Sequence, residues 1–137
     1  MRGAGAILLG KTNVSELLAF YDSVNLVYGA TRNPYDHTRS AGGSSGCEAA
    51  AIAAAMSPAG FGSDLGSSIR QPAHFTGIFG MKPSRDLVPL AGHRPGPPTL
   101  GFERCAAVGP MARTADDLEL LLRVCLLYTS PSPRDRS

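Results

Sequence analysis

The sequence predicts an α/β fold, because short apolar segments typical of strands alternate with segments typical of helices. The clearest strand runs from Ala59 to Asp64. The clearest helix follows Thr114, where a capping residue precedes two aspartates and an apolar face. With 137 residues, 43% of them hydrophobic, the chain has the size of one domain and enough apolar residues to bury a core.

The other expected elements are short. In chain order they are a buried strand at 5–9, a helix capped by Asn13 or Ser15 and ending near Phe20, a loop over 28–40, a tight turn at 42–46, a small-residue helix at 48–56, a second turn at 65–68, a short helix within 69–79, and strands at 80–83 and 106–110. Residues 91–101 are irregular, and residues 126–137 carry no periodic pattern, so a disordered or non-native tail is expected after a domain over 1–125.

Composition excludes several classes of partner. Thirteen basic and eleven acidic residues give a net charge of +2 without any charge run, so neither nucleic acid nor a membrane surface is an expected partner. Cys47, Cys105 and Cys125 are widely spaced and lie in no cluster with histidine. We therefore expect no metal and no cofactor, and reduced thiols in a cytoplasmic protein.

The stretch GAILLGKT, Gly5 to Thr12, fits the phosphate-loop pattern G-x-x-x-x-G-K-[ST]. That pattern binds phosphate through the backbone N–H groups of a small flexible loop. Here the four middle residues are the apolar run Ala-Ile-Leu-Leu. A nucleotide-binding domain is therefore an alternative that only this one match supports.

Two Gly/Ser turns carry more chemistry, namely Gly42 to Gly46 (GGSSG) and Leu65 to Ser68 (LGSS). A serine on such a turn at a helix start exposes its hydroxyl beside outward-pointing N–H groups, which can hold an oxyanion. GGSSG also fits the nucleophile-elbow pattern G-x-S-x-G, but polar residues precede it where that elbow needs a strand. Taken singly, each turn is better explained as a helix cap, where Ser and Gly are common for backbone reasons alone.

Together, GGSSG, GSDLGSSIRQPA and GIFGMKPS resemble the amidase signature family of serine hydrolases, in the same order along the chain. The resemblance runs from about Gly5 to Val124. It implies a mixed β-sheet flanked by helices, here a partial fold truncated at both ends. It also implies that GAILLGKTN is a strand running into a helix and holds no nucleotide.

The resemblance implies a Ser–cis-Ser–Lys triad. Ser68 falls on the nucleophile, and Ser44 falls on the bridging serine, which a cis peptide bond precedes. The N–H groups that would hold the oxyanion are those of Leu65, Gly66, Ser67 and Ser68. The residues that would support the serine loops are Ser45, Asp64 and Arg70.

Three departures from the family pattern are visible. Ser67 stands where the family usually has glycine, which would crowd the loop if this position needs a positive φ. Cys47 also replaces a glycine. The family's catalytic lysine precedes the GKTN-like segment, so neither Lys11 nor Lys82 matches it, and the chain is expected to be an internal fragment that is inactive alone.

The expected function is hydrolysis of a small-molecule amide to a carboxylate and ammonia or an amine. One alternative is the glutaminase (A-type) subunit of a tRNA-dependent amidotransferase. Others are the nucleotide-binding domain and a non-catalytic remnant kept for binding. A homodimer is an arrangement open to the full-length parent.

Overall fold

The computed structural model describes residues 1–90, 93 and 105–129. The strands of this part are β1 (Val24–Asn25), β2 (Gly29–Ala30), β3 (Ala59–Asp64), β4 (Phe79–Gly80) and β5 (Ala107–Ala112). The α-helices are α1 (Gly46–Ala53), α2 (Arg70–Thr76) and α3 (Ala115–Thr129), and two 3₁₀ turns lie at Arg2–Ala4 and Glu16–Leu18. The predicted α/β class is confirmed.

The main sheet has the strand order β3-β5-β4, and both of its pairings are antiparallel. In the longer pairing, Asp64 lies opposite Ala107 and Ala59 opposite Ala112. β1 and β2 form a separate antiparallel pair. Because β3 is paired along its whole length, its last residue, Asp64, reaches a defined position at the edge where the second Gly/Ser turn begins.

Helices α1 and α2 pack together over this sheet around a small apolar cluster. Its buried members are Ala49, Ile52, Ile69, Ala73 and Met111. The alanines let the helices approach closely, and a Cβ added at Gly80 would lie 2.8 Å from atoms of both Ile69 and Ala73. Glycine at this position of β4 therefore lets α2 pack closely on the strand.

Helix α3 begins as the sequence predicts. The N–H of Asp117 donates to Thr114 Oγ1 at 3.1 Å, so Thr114 caps the helix, and the Thr114 hydroxyl donates in turn to Asp117 Oδ2 at 2.6 Å. The helix continues to Thr129 and includes the first four residues of the segment expected to be a tail. Residues 130–137, and the irregular segment 91–101 apart from its residue 93, lie outside the described residues.

The secondary structure predicted for the first 40 residues is wrong in three places. Residues 5–9 form no strand, and Ile7, Leu8 and Leu9 are 85%, 64% and 72% exposed. The helix expected up to Phe20 is reduced to the 3₁₀ turn after Ser15. The loop expected over 28–40 contains β2. Among the described residues, no helix is long and apolar enough to cross a membrane.

We predict that Ile52→Ala destabilises the protein by about 2–5 kcal/mol, because the lost side chain leaves a cavity in the cluster. Ile52 is fully buried, whereas Ile7 is 85% exposed, so Ile7→Ala is the matched control and should change stability by less than about 0.5 kcal/mol. Urea unfolding of both variants measures the difference. Equal losses would contradict this placement of the core.

Candidate functional site

The structure brings the two Gly/Ser turns together. The first leads into α1, and the second joins β3 to α2. The N–H of Ser45 donates to the carbonyl of Ser68 at 3.1 Å, which joins the turns directly. The peptide bond between Gly43 and Ser44 is cis, at the position where the family resemblance implies one.

Ser44 and Ser68 are both nearly buried, at 2% and 8% exposure. Neither hydroxyl makes a hydrogen bond within the described part of the chain. Both serines are therefore shielded from bulk water.

Ser45 belongs to the first turn, and its side chain contacts β3. Its hydroxyl is 3.5 Å from the carbonyl oxygen of Ser63, to which it donates. A Cβ added at Gly62 would lie 2.5 Å from Ser45 Oγ, so only glycine fits opposite this side chain. These contacts are consistent with a supporting position for Ser45 between the sheet and the turn.

Asp64 is fully buried and organises the second turn. Its carboxylate accepts from the N–H groups of Ser67 (2.8 Å), Ile69 (3.1 Å) and Arg70 (3.2 Å). It also accepts from Nε and Nη2 of Arg70 at 3.0 and 2.9 Å. Burial alone would raise the pKa of Asp64, but the hydrogen bonds from the Arg70 side chain and from the three N–H groups hold it at about 2.

The same contacts divide the N–H groups of the second turn into one that donates to Asp64 and three that do not. Ser67 N–H is already engaged by Asp64, although it belongs to the set expected to hold an oxyanion. The N–H groups of Leu65, Gly66 and Ser68 make no hydrogen bond within the described residues. Three of the four expected donors therefore have no hydrogen-bond partner in the described part of the chain, and the fourth helps to shape the loop.

Ser67 has a φ of 95°, in the region that favours glycine. The concern raised by the sequence, that this position needs a positive φ, is therefore confirmed. A non-glycine residue in such a conformation stores about 1–3 kcal/mol of strain.

The chain has two lysines, Lys11 and Lys82. Lys11 is exposed. Lys82 Nζ donates to the carbonyl of Cys105 at 2.5 Å. Neither makes a hydrogen bond to Ser44 or Ser68 in the part of the chain that the structure describes.

The phosphate-loop pattern lacks its structural context, because residues 5–9 form no strand and no α-helix follows Lys11 directly. The Thr12 hydroxyl instead donates to Glu48 Oε2 of α1 at 2.8 Å. Burial raises the pKa of Glu48, although the Thr12 bond opposes this effect. The described residues contain no group of three His, Cys, Asp or Glu side chains that could hold a metal ion.

Sequence reasoning missed Ser23. This serine is fully buried, and its hydroxyl contacts backbone atoms on both sides of Ser44. It lies in the aperiodic stretch YDSVN, and its partners are 19–23 positions away. No local pattern could therefore have identified it.

We predict that the Asp64 carboxylate stabilises the fold near neutral pH. The native pKa of about 2 lies below the unfolded value, so the contribution is present above the unfolded pKa and is lost as pH falls through the native one. The size of this contribution at pH 7 is about 2 kcal/mol.

Urea unfolding from pH 7 to pH 2 measures it. Asp64→Asn should be less stable than wild type at pH 7, and this difference in the free energy of unfolding should narrow toward pH 2. Exposed Asp116→Asn is the control and should show a small gap throughout. A constant gap for Asp64→Asn would count against the contribution.

We predict that Ser67→Gly stabilises the protein by about 1 kcal/mol, because relief of backbone strain exceeds the added entropy of the unfolded chain. Ser67→Ala keeps the Cβ and the strain, so it should leave stability within about 0.5 kcal/mol of wild type. Equilibrium urea denaturation compares all three proteins. A stabilising alanine, or a destabilising glycine, would show that the hydroxyl rather than the backbone decides this position.

Comparison with known proteins places the chain in one family. Fatty-acid amide hydrolase 2 of Homo sapiens is 50% identical over 125 residues, which are 90% of this chain and 23% of that protein. The A-type subunit of glutamyl-tRNA(Gln) amidotransferase from Deinococcus radiodurans is 41% identical over 135 residues, 98% of this chain and 26% of that relative. The chain thus spans about a quarter of the length of the curated relatives that it matches.

The fold agrees with this similarity. A solved structure described as the crystal structure of an amidase superposes with a TM-score of 0.84 at 38% identity, covering 95% of this chain and 29% of the other. A family model described as Amidase matches residues 1–137. The chain therefore belongs to the amidase family, as its serine turns suggested.

Proposed function

We propose that the protein hydrolyses the amide bond of a small molecule through a serine nucleophile. The observation that carries this proposal is the hydrogen bond from Ser45 N–H to the Ser68 carbonyl, which joins the two serine turns. This bond supports the proposal because each of the turns that it joins carries a buried serine, and the N–H groups of Leu65, Gly66 and Ser68 make no hydrogen bond within the described residues. Such a site suits acyl transfer, which needs a nucleophile, a proton relay and oxyanion donors together.

In the proposed reaction Ser68 Oγ attacks the amide carbonyl carbon and its proton passes to Ser44. The electron pair of the carbonyl moves to its oxygen, and the N–H groups of Leu65, Gly66 and Ser68 stabilise the resulting oxyanion. Collapse of the tetrahedral intermediate breaks the C–N bond, and the relay returns a proton to the leaving amine. Water then attacks the acyl-enzyme and releases the carboxylate, and Ser68 regains its proton.

The relay needs a base that takes the proton from Ser44. Lys11 is exposed, and Lys82 donates a hydrogen bond to the Cys105 carbonyl, so we assign the role of the base to neither lysine. We propose that the base is a lysine outside residues 1–137 and that this chain alone is inactive. Asp64 and Arg70 hold the loop conformation in this scheme and do not touch the substrate.

A glutaminase subunit of a tRNA-dependent amidotransferase is the second candidate. The 41% identity to the relative from Deinococcus radiodurans favours it. In our proposal both candidates would use Ser44 and Ser68. Co-purifying subunits together with glutamine turnover would favour the glutaminase. Turnover of simple amides by an isolated protein would favour the amidase. Cys47 and Cys105 are free thiols in the described part of the chain, which suits the cytoplasmic location expected for either candidate.

We predict that Ser68→Ala in the complete protein lowers amide hydrolysis by at least about 10³-fold, because the bond-forming oxygen is removed. Ammonia release measures turnover, and a fluorophosphonate probe reports the nucleophile by covalent labelling. Ser57→Ala is the control, because its hydroxyl donates only to the carbonyl of Ala59, and it should retain activity and labelling. Residues 1–137 alone should not be labelled. Full turnover by Ser68→Ala would eliminate the serine mechanism.

A further inference from the structure

The first Gly/Ser turn, which carries Ser44, packs on Ser23, a buried serine that the proposed mechanism does not use. Ser23 Oγ is 3.0 Å from the carbonyl oxygen of Gly42 and 3.2 Å from that of Ser44. It also accepts from the N–H of Gly46 at 2.9 Å. A hydroxyl has one proton and two lone pairs, so its single proton is shared between these two carbonyl oxygens while a lone pair accepts from the N–H of Gly46.

Ser23 is itself held in place. Its N–H donates to the Gly42 carbonyl at 3.1 Å, and its carbonyl accepts from the N–H of Thr31 at 2.9 Å. A Cβ added at Gly43 would lie 2.5 Å from the backbone nitrogen of Asp22, so the turn packs directly on this segment. The position of Ser23 Oγ relative to the turn is therefore fixed by backbone contacts on both sides.

One peptide group connects Ser23 to the second turn. The peptide between Ser44 and Ser45 presents its carbonyl to Ser23 Oγ and its N–H to the carbonyl of Ser68. A peptide group is planar and rigid, so a rotation at one end reorients the other. Hydrogen bonds arranged in series through a peptide also strengthen one another.

We propose that Ser23 is a positioning residue that sets the orientation of the Ser44–Ser45 peptide and thereby the approach of Ser44 to Ser68. Its kinetic consequence rests on the proposed function, whereas its hydrogen bonds do not. Small errors in the placement of reacting groups are costly, since about 1 Å of displacement can lower a rate by about 10²-fold.

The kinetic test uses the complete protein with Ser23→Ala, Ser23→Thr and Ser15→Ala. We expect Ser23→Ala to lower kcat by about 10- to 100-fold with KM changed less than about twofold, because substrate binding is retained. Ser23→Thr restores the hydroxyl and should recover most of kcat. Ser15 is a matched buried serine whose hydroxyl accepts from the N–H of Phe20 at 3.4 Å, so Ser15→Ala should leave kcat unchanged.

Hydrogen exchange, followed by mass spectrometry on peptides covering residues 41–47, provides a readout that does not depend on activity. Ser23→Ala should speed exchange at the amides of Ser45 and Gly46, and Ser15→Ala should not. Unchanged exchange there overturns the proposal, as does an equal loss of kcat in both alanine variants. If exchange responds as expected but wild type hydrolyses no amide, the proposed function fails while the geometric role of Ser23 stands.

Discussion

The buried carboxylate of Asp64 is the constraint on which the site depends. A buried charge is stable only when it is paired and hydrogen-bonded, because the desolvation penalty is otherwise several kcal/mol. Here the carboxylate lies at the end of β3, and the residues that follow it fold back to provide three N–H groups and a guanidinium. The loop conformation and the buried charge therefore require each other, and α2 begins where the last of these donors lies.

The first turn is fixed by a different kind of contact. No charge is buried there, and the partners are a hydroxyl and backbone groups, with Ser23 on one side and Ser68 on the other. Alanines at the α1–α2 contact allow the helix starts to come close enough for the Ser45–Ser68 bond. The hydrogen bonds of the first turn and those of Asp64 meet at Ser68. Its carbonyl accepts from Ser45 of the first turn, and the N–H groups of its neighbours Ser67 and Ile69 donate to Asp64.

The elements that the sequence predicts well are those with local causes. β3 has its expected bounds because glycine, proline and polar residues border it, and α3 begins where Thr114 caps it. The strand expected at 5–9 fails because an apolar run does not reveal whether a partner strand is available, and none pairs with it among the described residues. The two turns could be found from glycine and serine, but Ser23 could not, since only contacts distant in sequence give it a role.

The strain at Ser67 follows from the same constraint. Asp64 binds the N–H groups of Ser67 and Ile69, so it fixes the backbone on both sides of Ser68 and enforces a φ of 95° at a residue that glycine would suit better. The Ser68 carbonyl is held by Ser45, and its hydroxyl is held by nothing that the structure describes. The proposed nucleophile is thus positioned through its main chain.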